Sequence, residues 1–223
     1  MDQTLDSKLE LFDFDCNLTH KDLCHNVKAL IQQARAVGVM EMVIPGATIE
    51  ESQQAIELCR QYPTQLFPTA GGECGLDYSL SFPAPEVQKK WFAEQLAMAC
   101  ALKKPLFLHE RLAHDDFIQL IDEAIMNFDG YFPPAVVHCF TGNEDELKAY
   151  IARGDNWYIG VTGFICKKQG AALKQMVKHV PRHRLVLETD APYMGFPNCR
   201  RAESSEKEIA RITRANARRF LRL

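Results

Sequence analysis

Acidic and imidazole side chains stand beside several short apolar segments of this chain, and their types suit a catalytic metal site. They are Asp15, Glu73, His109, His138 and Asp190. Imidazole nitrogens and carboxylate oxygens together bind Zn²⁺, Mn²⁺ or Mg²⁺, and the residue types do not choose among these metals. Each residue alone also has a structural explanation, such as a packed histidine or a turn-forming aspartate. Convergence of several such ligands on one place would instead predict metal-dependent catalysis.

Other polar residues carry weaker signals. Arg111 follows His109 by two residues, where it could contact an anion or simply face solvent. Arginines near the end of the sequence most simply form a solvated face, with contact to a nucleic-acid strand as the alternative. They are Arg211, Arg214, Arg218, Arg219 and Arg222. Ser79 and Ser81 have no evident His and Asp partners, so a serine hydrolase is not predicted.

Segments typical of strands and helices alternate along the chain. The strand-like runs are residues 9–13, 40–44, 66–70, 73–76, 105–108, 135–137, 157–161 and 185–187. Helical periodicity separates most of them, most clearly in residues 117–128. A further helix places Val87, Trp91, Met98 and Leu102 on one face. Short, uniformly apolar strands are buried on both faces, as in a parallel sheet covered by helices.

This alternation predicts an α/β fold, a TIM (β/α)8 barrel. A doubly wound sheet is the alternative, but no G-x-G-x-x-G sequence follows the first strand to support it. In a barrel the carboxyl ends of the strands meet at one rim, which is where the active sites of such enzymes lie. The predicted metal ligands would therefore converge at that rim.

One junction conflicts with a regular barrel. The runs at 66–70 and 73–76 are typical of two strands, yet only Gly71 and Gly72 separate them. Two parallel strands need a crossover of at least ~10–12 residues. Either the barrel is interrupted at this point, or residues are missing between Ala70 and Glu73.

Composition restricts the class of protein. With 223 residues, of which 47% are hydrophobic and 25% charged, the chain is expected to form one domain over residues 1–223. No apolar run approaches the ~18 residues of a membrane span. The net charge of −3 argues against a protein that coats nucleic acid, but not against an enzyme that neutralises phosphate with metal ions.

Cysteine usage and the first residues indicate an intracellular protein. The eight cysteines are dispersed without a C-x-x-C pair, which is typical of reduced thiols and does not predict a cysteine zinc site. Residues 1–10 are polar and acidic, unlike a secretory signal or a transit peptide. We expect the cytoplasm, with the nucleus or mitochondrion as open alternatives.

Four segments together resemble the TatD-like metal-dependent DNase family. They are residues 72–78 (GECGLDY), 106–109 (LFLH), 136–142 (VVHCFTG) and 187–193 (LETDAPY), in the order that the family has them. The resemblance extends over nearly the whole chain. GECGLD, HCFTG and ETDAP are highly specific as a set, whereas any one of them alone would be a moderate signal.

The resemblance implies a TIM-barrel hydrolase that binds one or two divalent metals and hydrolyses DNA phosphodiesters, often as a 3′–5′ exonuclease. By the same likeness Glu73 is a carboxylate ligand that bridges when two ions are present. His109 and His138 are imidazole ligands, and Asp190 is a ligand and the general base. Such metals lower the pKa of bound water and offset the charge that develops on the phosphate.

The segment after the first strand departs from the family pattern. Many relatives have D-x-H-x-H there, and this chain has Asp13-Phe14-Asp15-Cys16-Asn17. Asp15 could still offer an oxygen ligand, which leaves either one ion or a second, more weakly held ion. We expect Mg²⁺ as the functional metal, with Zn²⁺ and Mn²⁺ as alternatives.

Two further departures concern length. Relatives have a G-x-H-P-H loop and a helix before the Glu73 motif, and a longer R-x-N-E-P-like segment before the last helix. We expect missing residues at both places, with gaps in the backbone at 70–72 and near Ser204. The candidate substrate-binding residues are Arg111, Thr141 and Arg200, the last as a remnant of the R-x-N-E-P segment.

Three functions remain open. The first is a metal-dependent deoxyribonuclease with DNA as its partner, no membrane contact and no obligate protein partner. The second is a related hydrolase that acts on a small amide, an ester or an aminoacyl-tRNA, because the same ligands serve that chemistry. The third is a scaffold whose catalytic function has decayed, for which the replaced histidines are the support.

Overall fold

Parallel strands alternate with helices in the computed structural model, which describes residues 10–69, 73–79, 82–194 and 206–223. The strands in this part of the chain are β1 (Leu11–Asp13), β2 (Val39–Ile44), β3 (Leu66–Pro68), β4 (Cys74–Asp77), β5 (Leu106–Arg111), β6 (Ala135–Val137), β7 (Trp157–Val161) and β8 (Leu185–Leu187). The α-helices are α1 (Val27–Ala36), α2 (Ile49–Gln61), α3 (Pro85–Leu102), α4 (His114–Asn127), α5 (Glu144–Ala152), α6 (Ala171–Met176) and α7 (Glu206–Leu221).

Two parallel sheets make up the strand layer, one with the order β1-β2-β3 and one with the order β4-β5-β6-β7-β8. Backbone hydrogen bonds join the two sheets between β8 and the end of β1. The Phe14 N–H donates to the Leu187 carbonyl at 2.8 Å, and the Asp190 N–H donates to the Asp15 carbonyl at 2.9 Å. The strand order is therefore that of a barrel that is closed between its first and last strands.

On its other side the barrel is interrupted between β3 and β4, which are not paired in the described sheets. β3 ends at Pro68 and β4 begins at Cys74, so five residues connect two strands of parallel sheets. This is the junction at which the sequence predicts an interrupted barrel or missing residues. Residues 70–72 and Ser204 lie outside the described part of the chain, so the expected gaps remain predictions.

Aromatic and branched side chains fill the interior of the barrel. The buried set is Phe12, Phe14, Val43, Phe107, Val136, Tyr158, Val186, Ala217 and Phe220. The last two residues come from α7 and not from a strand. The Phe220 ring lies 5.2 Å from that of Phe14 and 5.4 Å from that of Tyr158, edge-on to both. Helix α7 thus supplies part of the packing that strand residues supply in a regular barrel.

A second core lies between the larger sheet and helices α3 to α5. Phe92 of α3 stacks on Phe117 of α4 with 4.9 Å between ring centroids, and both side chains are fully buried. The residues Val87, Trp91, Met98 and Leu102 do share a face of α3, as their spacing predicts. That face is the exposed one, with Trp91 60% accessible to solvent.

Arginines of α7 bind a buried carboxylate in β2. Arg214 Nε donates to Glu41 Oε2 at 2.7 Å, and Arg218 pairs with Glu41 Oε1. Glu41 is 3% exposed. The prediction that the arginines near the chain's end form a solvated face is therefore wrong for these two, because a buried acid on another element needs their charge.

Candidate metal centre

Three side chains converge at one point of the larger sheet. His109 Nδ1 lies 3.3 Å from Glu73 Oε2, His138 Nε2 lies 3.2 Å from the same oxygen, and the two nitrogens are 3.0 Å apart. We call these residues the triad. Within the described residues, the triad is the group of three or more potential ligands whose atoms lie close enough together to hold one metal ion.

Strand register explains how the triad assembles. His109 lies within β5 and His138 directly follows β6, whereas Glu73 comes just before β4. In the register of β4 and β5 Gly75 lies opposite His109, so Glu73 stands two residues before the position level with His109, and its side chain reaches the two imidazoles. The expected position directly after a strand is confirmed for His138. His109, expected to follow the run at 105–108, lies inside β5, which continues to Arg111. Glu73, expected as the first residue of the run at 73–76, lies one residue before β4.

Gly75 lets β4 approach β5 closely beside the triad. A Cβ at this position would lie 1.8 Å from the His109 carbonyl oxygen, so any other residue would push the two strands apart. Gly75, the second glycine of the GECG segment, is therefore needed to keep Glu73 and His109 close together.

The triad fits a divalent cation on two grounds. Ligand atoms about 2.0–2.1 Å from an ion are roughly 2.8–3.0 Å apart in an octahedral shell and roughly 3.3–3.4 Å apart in a tetrahedral one, and the three distances of the triad fall within this range. Buried acidic oxygens nearby also lack hydrogen-bond partners: both carboxylate oxygens of Asp15 and Oε1 of Glu188. Buried unpartnered carboxylates are costly unless a positive charge lies close to them.

The ionisation of the triad in the absence of a cation reflects its internal pairing. Burial alone would raise the pKa of Glu73, but hydrogen bonds from His109 and His138 hold that pKa well below its usual range. Burial alone would lower the pKa of His138, but Asp15 and Glu73 together hold it well above its usual range. Protonated His138 thus supplies positive charge where a cation would otherwise supply it.

Asp15 lies on the opposite edge of the His138 ring from Glu73. Asp15 Oδ2 is 3.2 Å from Nδ1 of His138, and the aspartate is completely buried. Burial raises the pKa of Asp15, an effect that the charge of His138 partly offsets. The structure therefore brings Asp15 to the site but not into the triad, where the sequence predicts an oxygen ligand.

Asp190 lies beside the same group of acids, at the end of β8. Its backbone has a positive φ of 50°, and its N–H is held by the Asp15 carbonyl. Burial raises the pKa of Asp190 to about 6, and the charges of Asp15 and Glu73 add to this effect. A half-buried carboxyl with this pKa exchanges protons near neutral pH, as a general base must.

Two acids that the sequence analysis left without a role support the site. Glu188 Oε2 accepts the Cys139 N–H at 2.7 Å, and Cys139 has a positive φ of 43° directly after His138. Asp77 Oδ2 lies 3.2 Å from Nε2 of His109. Both acids belong to the specific motifs GECGLDY and ETDAP, which was the signal that could have identified them.

The expected substrate-binding residues are placed only in part. Arg111 ends β5 and Thr141 follows the His138 loop, and both are exposed. Arg200 lies outside the described residues. Among the described residues, no helix is long and apolar enough to cross a membrane.

The family model and the curated relatives that match this chain belong to the same family. The model of the family described as TatD related DNase matches residues 72–219. The protein named 3′-5′ ssDNA/RNA exonuclease TatD from Pectobacterium parmentieri is 37% identical to this chain, with 82% of this chain and 80% of the relative covered. That alignment has 214 positions, whereas 82% of 223 residues is about 183, so about 31 positions of the alignment have no residue in this chain.

Solved structures show the same architecture. A TatD homologue from Escherichia coli has a TM-score of 0.76 at 22% identity, covering 95% of this chain and 90% of the other. A TIM-barrel protein from Bordetella bronchiseptica has a TM-score of 0.62 at 13% identity, covering 96% and 99%. The fold is therefore a parallel α/β fold whose structural neighbours include TIM barrels, as the sequence predicts.

Proposed function

The chain belongs to the TatD-related DNase family, and from that premise we propose that it hydrolyses DNA phosphodiester bonds as a divalent-metal-dependent 3′–5′ exonuclease. The observation that carries this proposal is the triad, whose three ligand atoms lie 3.0–3.3 Å apart at one end of the barrel. Relatives at 34–37% identity are named 3′-5′ ssDNA/RNA exonucleases, so single-stranded DNA and RNA are the first substrates to test.

We propose that Glu73, His109 and His138 hold the cation and that Asp190 is the general base. A bound divalent metal lowers the pKa of water and offsets charge on a phosphate oxygen. Asp190 is half-buried with a pKa of about 6, so at neutral pH it is mostly ionised and able to accept a proton from water. Glu188 and Asp13 hold the surrounding loops through the Cys139 N–H and through Thr189.

The donor set informs the choice of metal. Two imidazole nitrogens and one carboxylate oxygen suit Mn²⁺ or Zn²⁺, while Mg²⁺ favours oxygen ligands and water. Mg²⁺ remains the expected metal in function, and Asp15, which lies 3.2 Å from His138, and Asp190 are the oxygen donors that could retain a second ion. A comparison of these three metals therefore belongs in the first assay.

Substrate affinity should depend on contacts near the metal more than on the overall field. The net charge of −3 does not attract a polyanion over long distances. We propose that Arg111 and Thr141, which are exposed two residues after His109 and three residues after His138, contact the nucleic-acid backbone. Arg200 is retained as a third candidate.

A gel assay tests the proposed activity. Single-stranded DNA and RNA labelled at the 5′ end are incubated with Mg²⁺, Mn²⁺ or Zn²⁺, and each reaction is repeated with excess chelator. We expect a ladder that shortens from the 3′ end, loss of cleavage with chelator, and loss of cleavage in His138→Ala. His183→Ala is the matched control, because His183 is half exposed and pairs with Asp155 on the surface.

The outcomes separate the three functions. Cleavage that survives both the chelator and His138→Ala would reject the metal mechanism. Metal binding without nucleic-acid cleavage would favour a related hydrolase of small amides or esters. A protein that binds no metal would be a scaffold.

A further inference from the structure

Each imidazole of the triad has a carboxylate on the nitrogen that does not face Glu73. His109 directs Nδ1 towards Glu73 and Nε2 towards Asp77, whereas His138 directs Nε2 towards Glu73 and Nδ1 towards Asp15. All four distances are 3.2–3.3 Å. The two rings thus present different nitrogens to Glu73, Nδ1 in His109 and Nε2 in His138, and in each ring the other nitrogen lies next to an aspartate.

We propose that Asp77 and Asp15 are positioning residues that hold His109 and His138 in the protonation forms needed to bind a cation. Asp77 accepts a proton-bearing Nε2 of His109, which leaves the Nδ1 lone pair facing Glu73. Asp15 accepts a proton-bearing Nδ1 of His138, which leaves the Nε2 lone pair facing the same oxygen. The proposal rests on the metal site of the proposed function, since it concerns the ligands of that cation.

Asp77 is itself held in place from two sides. Its Oδ1 accepts the Ser79 N–H at 2.8 Å, so Oδ2 is the oxygen directed to His109. Its backbone N–H donates to Gln88 Oε1 and its carbonyl accepts from Gln88 Nε2, both at 2.7 Å. This paired contact with α3 fixes the carboxylate, which is a requirement for a residue that orients a metal ligand.

Asp15 is held by the junction of β1 and β8. Its carbonyl accepts the Asp190 N–H at 2.9 Å and the Thr189 hydroxyl at 3.1 Å. Its two carboxylate oxygens and Nδ1 of His138 are buried without a hydrogen-bond partner among the described residues, and the 3.2 Å contact between Oδ2 and that Nδ1 pairs the two side chains. Because the two nitrogens of an imidazole point away from each other, Asp15 and Glu73 cannot both contact Nε2. Asp15 therefore meets His138 at Nδ1, the nitrogen on the far side of the ring from Glu73.

The unmodified protein provides a direct test that does not depend on catalysis. Long-range proton–nitrogen NMR spectra of the zinc-loaded, ¹⁵N-labelled protein report which nitrogen of each histidine carries a proton. We expect His109 to be protonated at Nε2 and His138 at Nδ1. A proton on Nδ1 of His109 or on Nε2 of His138 would overturn the proposal. Since no residue is replaced, misfolding of a variant cannot obscure this result.

Isosteric substitutions test the energetic role. Asp77→Asn and Asp15→Asn remove one charge each and present an amide that can donate where the acid could only accept. We expect each to weaken Zn²⁺ binding, measured by calorimetry, by about 10–100-fold, as for other carboxylates behind metal-bound histidines. Asp122→Asn is the control, because Asp122 pairs with Arg153 on the surface and should leave zinc affinity unchanged.

The outcomes distinguish this inference from the proposed function. Unchanged zinc affinity in both Asp77→Asn and Asp15→Asn would contradict the positioning roles even if the unmodified protein cleaves nucleic acid. Zinc binding with the expected protonation pattern, but no cleavage of DNA or RNA, would contradict the exonuclease activity and leave the positioning roles intact.

Discussion

Gly160 in β7 lies directly beneath the Glu188 carboxyl group. A Cβ at this position would be 2.2 Å from Glu188 Oε1, a distance that the side chain could relieve only by moving. Movement would break the 2.7 Å bond from the Cys139 N–H, which stabilises the left-handed turn after His138. One missing methyl group thus permits a contact that shapes the metal centre.

We predict that Gly160→Ala destabilises the protein by about 1–3 kcal/mol, because it overpacks the barrel and leaves the partly buried Cys139 N–H unpaired. Chemical denaturation measures this change, and zinc calorimetry should show weaker binding because His138 loses its orientation. Denaturation and binding curves that superimpose on those of the unmodified protein would contradict this account of the turn.

Arg184 is a buried cation that pairs only with carbonyl groups among the described residues. Its guanidinium donates to the carbonyls of Trp157 at 2.7 Å, Ile151 at 2.8 Å and Tyr150 at 3.1 Å. These bonds join the end of α5 to the start of β7. Burial lowers the pKa of Arg184, although arginine remains charged at any pH that the fold tolerates.

We expect Arg184→Met to lower the free energy of unfolding by about 2–5 kcal/mol, because three carbonyls lose their donor in a dry environment. Arg182→Met is the control, since Arg182 stands in the same turn but its side chain is exposed. Urea denaturation of both variants gives the comparison. Equal effects of the two substitutions would show that the three bonds add little.

At this scale the sequence predicts which side chains converge better than it predicts their geometry. His109, His138 and Glu73 could be named because their motifs are specific and their side chains bind metals. The supporting contacts of Asp77 and Glu188 depend on how neighbouring strands are staggered, and spacing along one strand does not contain that information.

Helix α7 is the element whose role differs most from expectation. Its sequence contains several arginines, which indicates a solvated surface, yet its other face enters the barrel interior through Ala217 and Phe220. Its arginines then reach back to Glu41. The helix therefore contacts the barrel in two ways, through apolar side chains in the interior and through ion pairs with β2.

We predict that Phe220→Ala costs about 3–5 kcal/mol of stability, because it leaves a cavity among the rings of Phe14 and Tyr158. Leu223→Ala removes a side chain that is 51% exposed two residues beyond α7, and should change stability by less than about 0.5 kcal/mol. Thermal unfolding of the two variants compares the loss of a buried side chain with the loss of an exposed one nearby. A small effect of Phe220→Ala would mean that α7 merely covers the barrel.

Strand positions were more predictable than helix faces. The run at 157–161 coincides with β7, since an apolar run of only five residues has the length of a buried strand and is too short for a typical helix. Helix α3 carries apolar residues on nearly all sides, so periodicity could not tell that Phe92 and Leu96 face the core while Trp91 and Met98 face solvent. Packing against α4 decides this, and such contacts are tertiary.

Across the whole molecule, acids concentrate where the barrel closes. Asp13, Asp15, Glu188 and Asp190 all have raised pKa values, with burial as the main cause in each. Coulomb attraction to a bound cation would offset the cost of burying these carboxylates in their ionised form. Metal binding and folding should therefore be linked.

We expect Mn²⁺ at 100 times its dissociation constant to stabilise the native protein by about 2.7 kcal/mol, as binding to the folded state alone requires. Thermal unfolding with increasing Mn²⁺ measures the effect, and chelator should reverse it. In His138→Ala the midpoint should no longer respond to the metal. A shift that persists in that variant would locate the relevant metal outside the triad.

The barrel as a whole was predictable from its alternating pattern, and so was the place of its interruption. A five-residue connection between β3 and β4 conflicts with the crossover length of parallel strands, which is a geometric limit that needs no structure to apply. Closure between β1 and β8 could not be derived in the same way, because no feature of the sequence near either strand indicates which strand it pairs with.

That closure has a consequence for synthesis. Asp13 binds Thr189 across 176 positions, and Glu41 binds Arg214 across 173. A ribosome that adds 5–20 residues per second needs about 9–35 s between the members of each pair. During that interval the nascent β1–β3 sheet has apolar and acidic groups without their partners. Nascent chains of this protein should therefore depend on chaperones until the last helix has emerged.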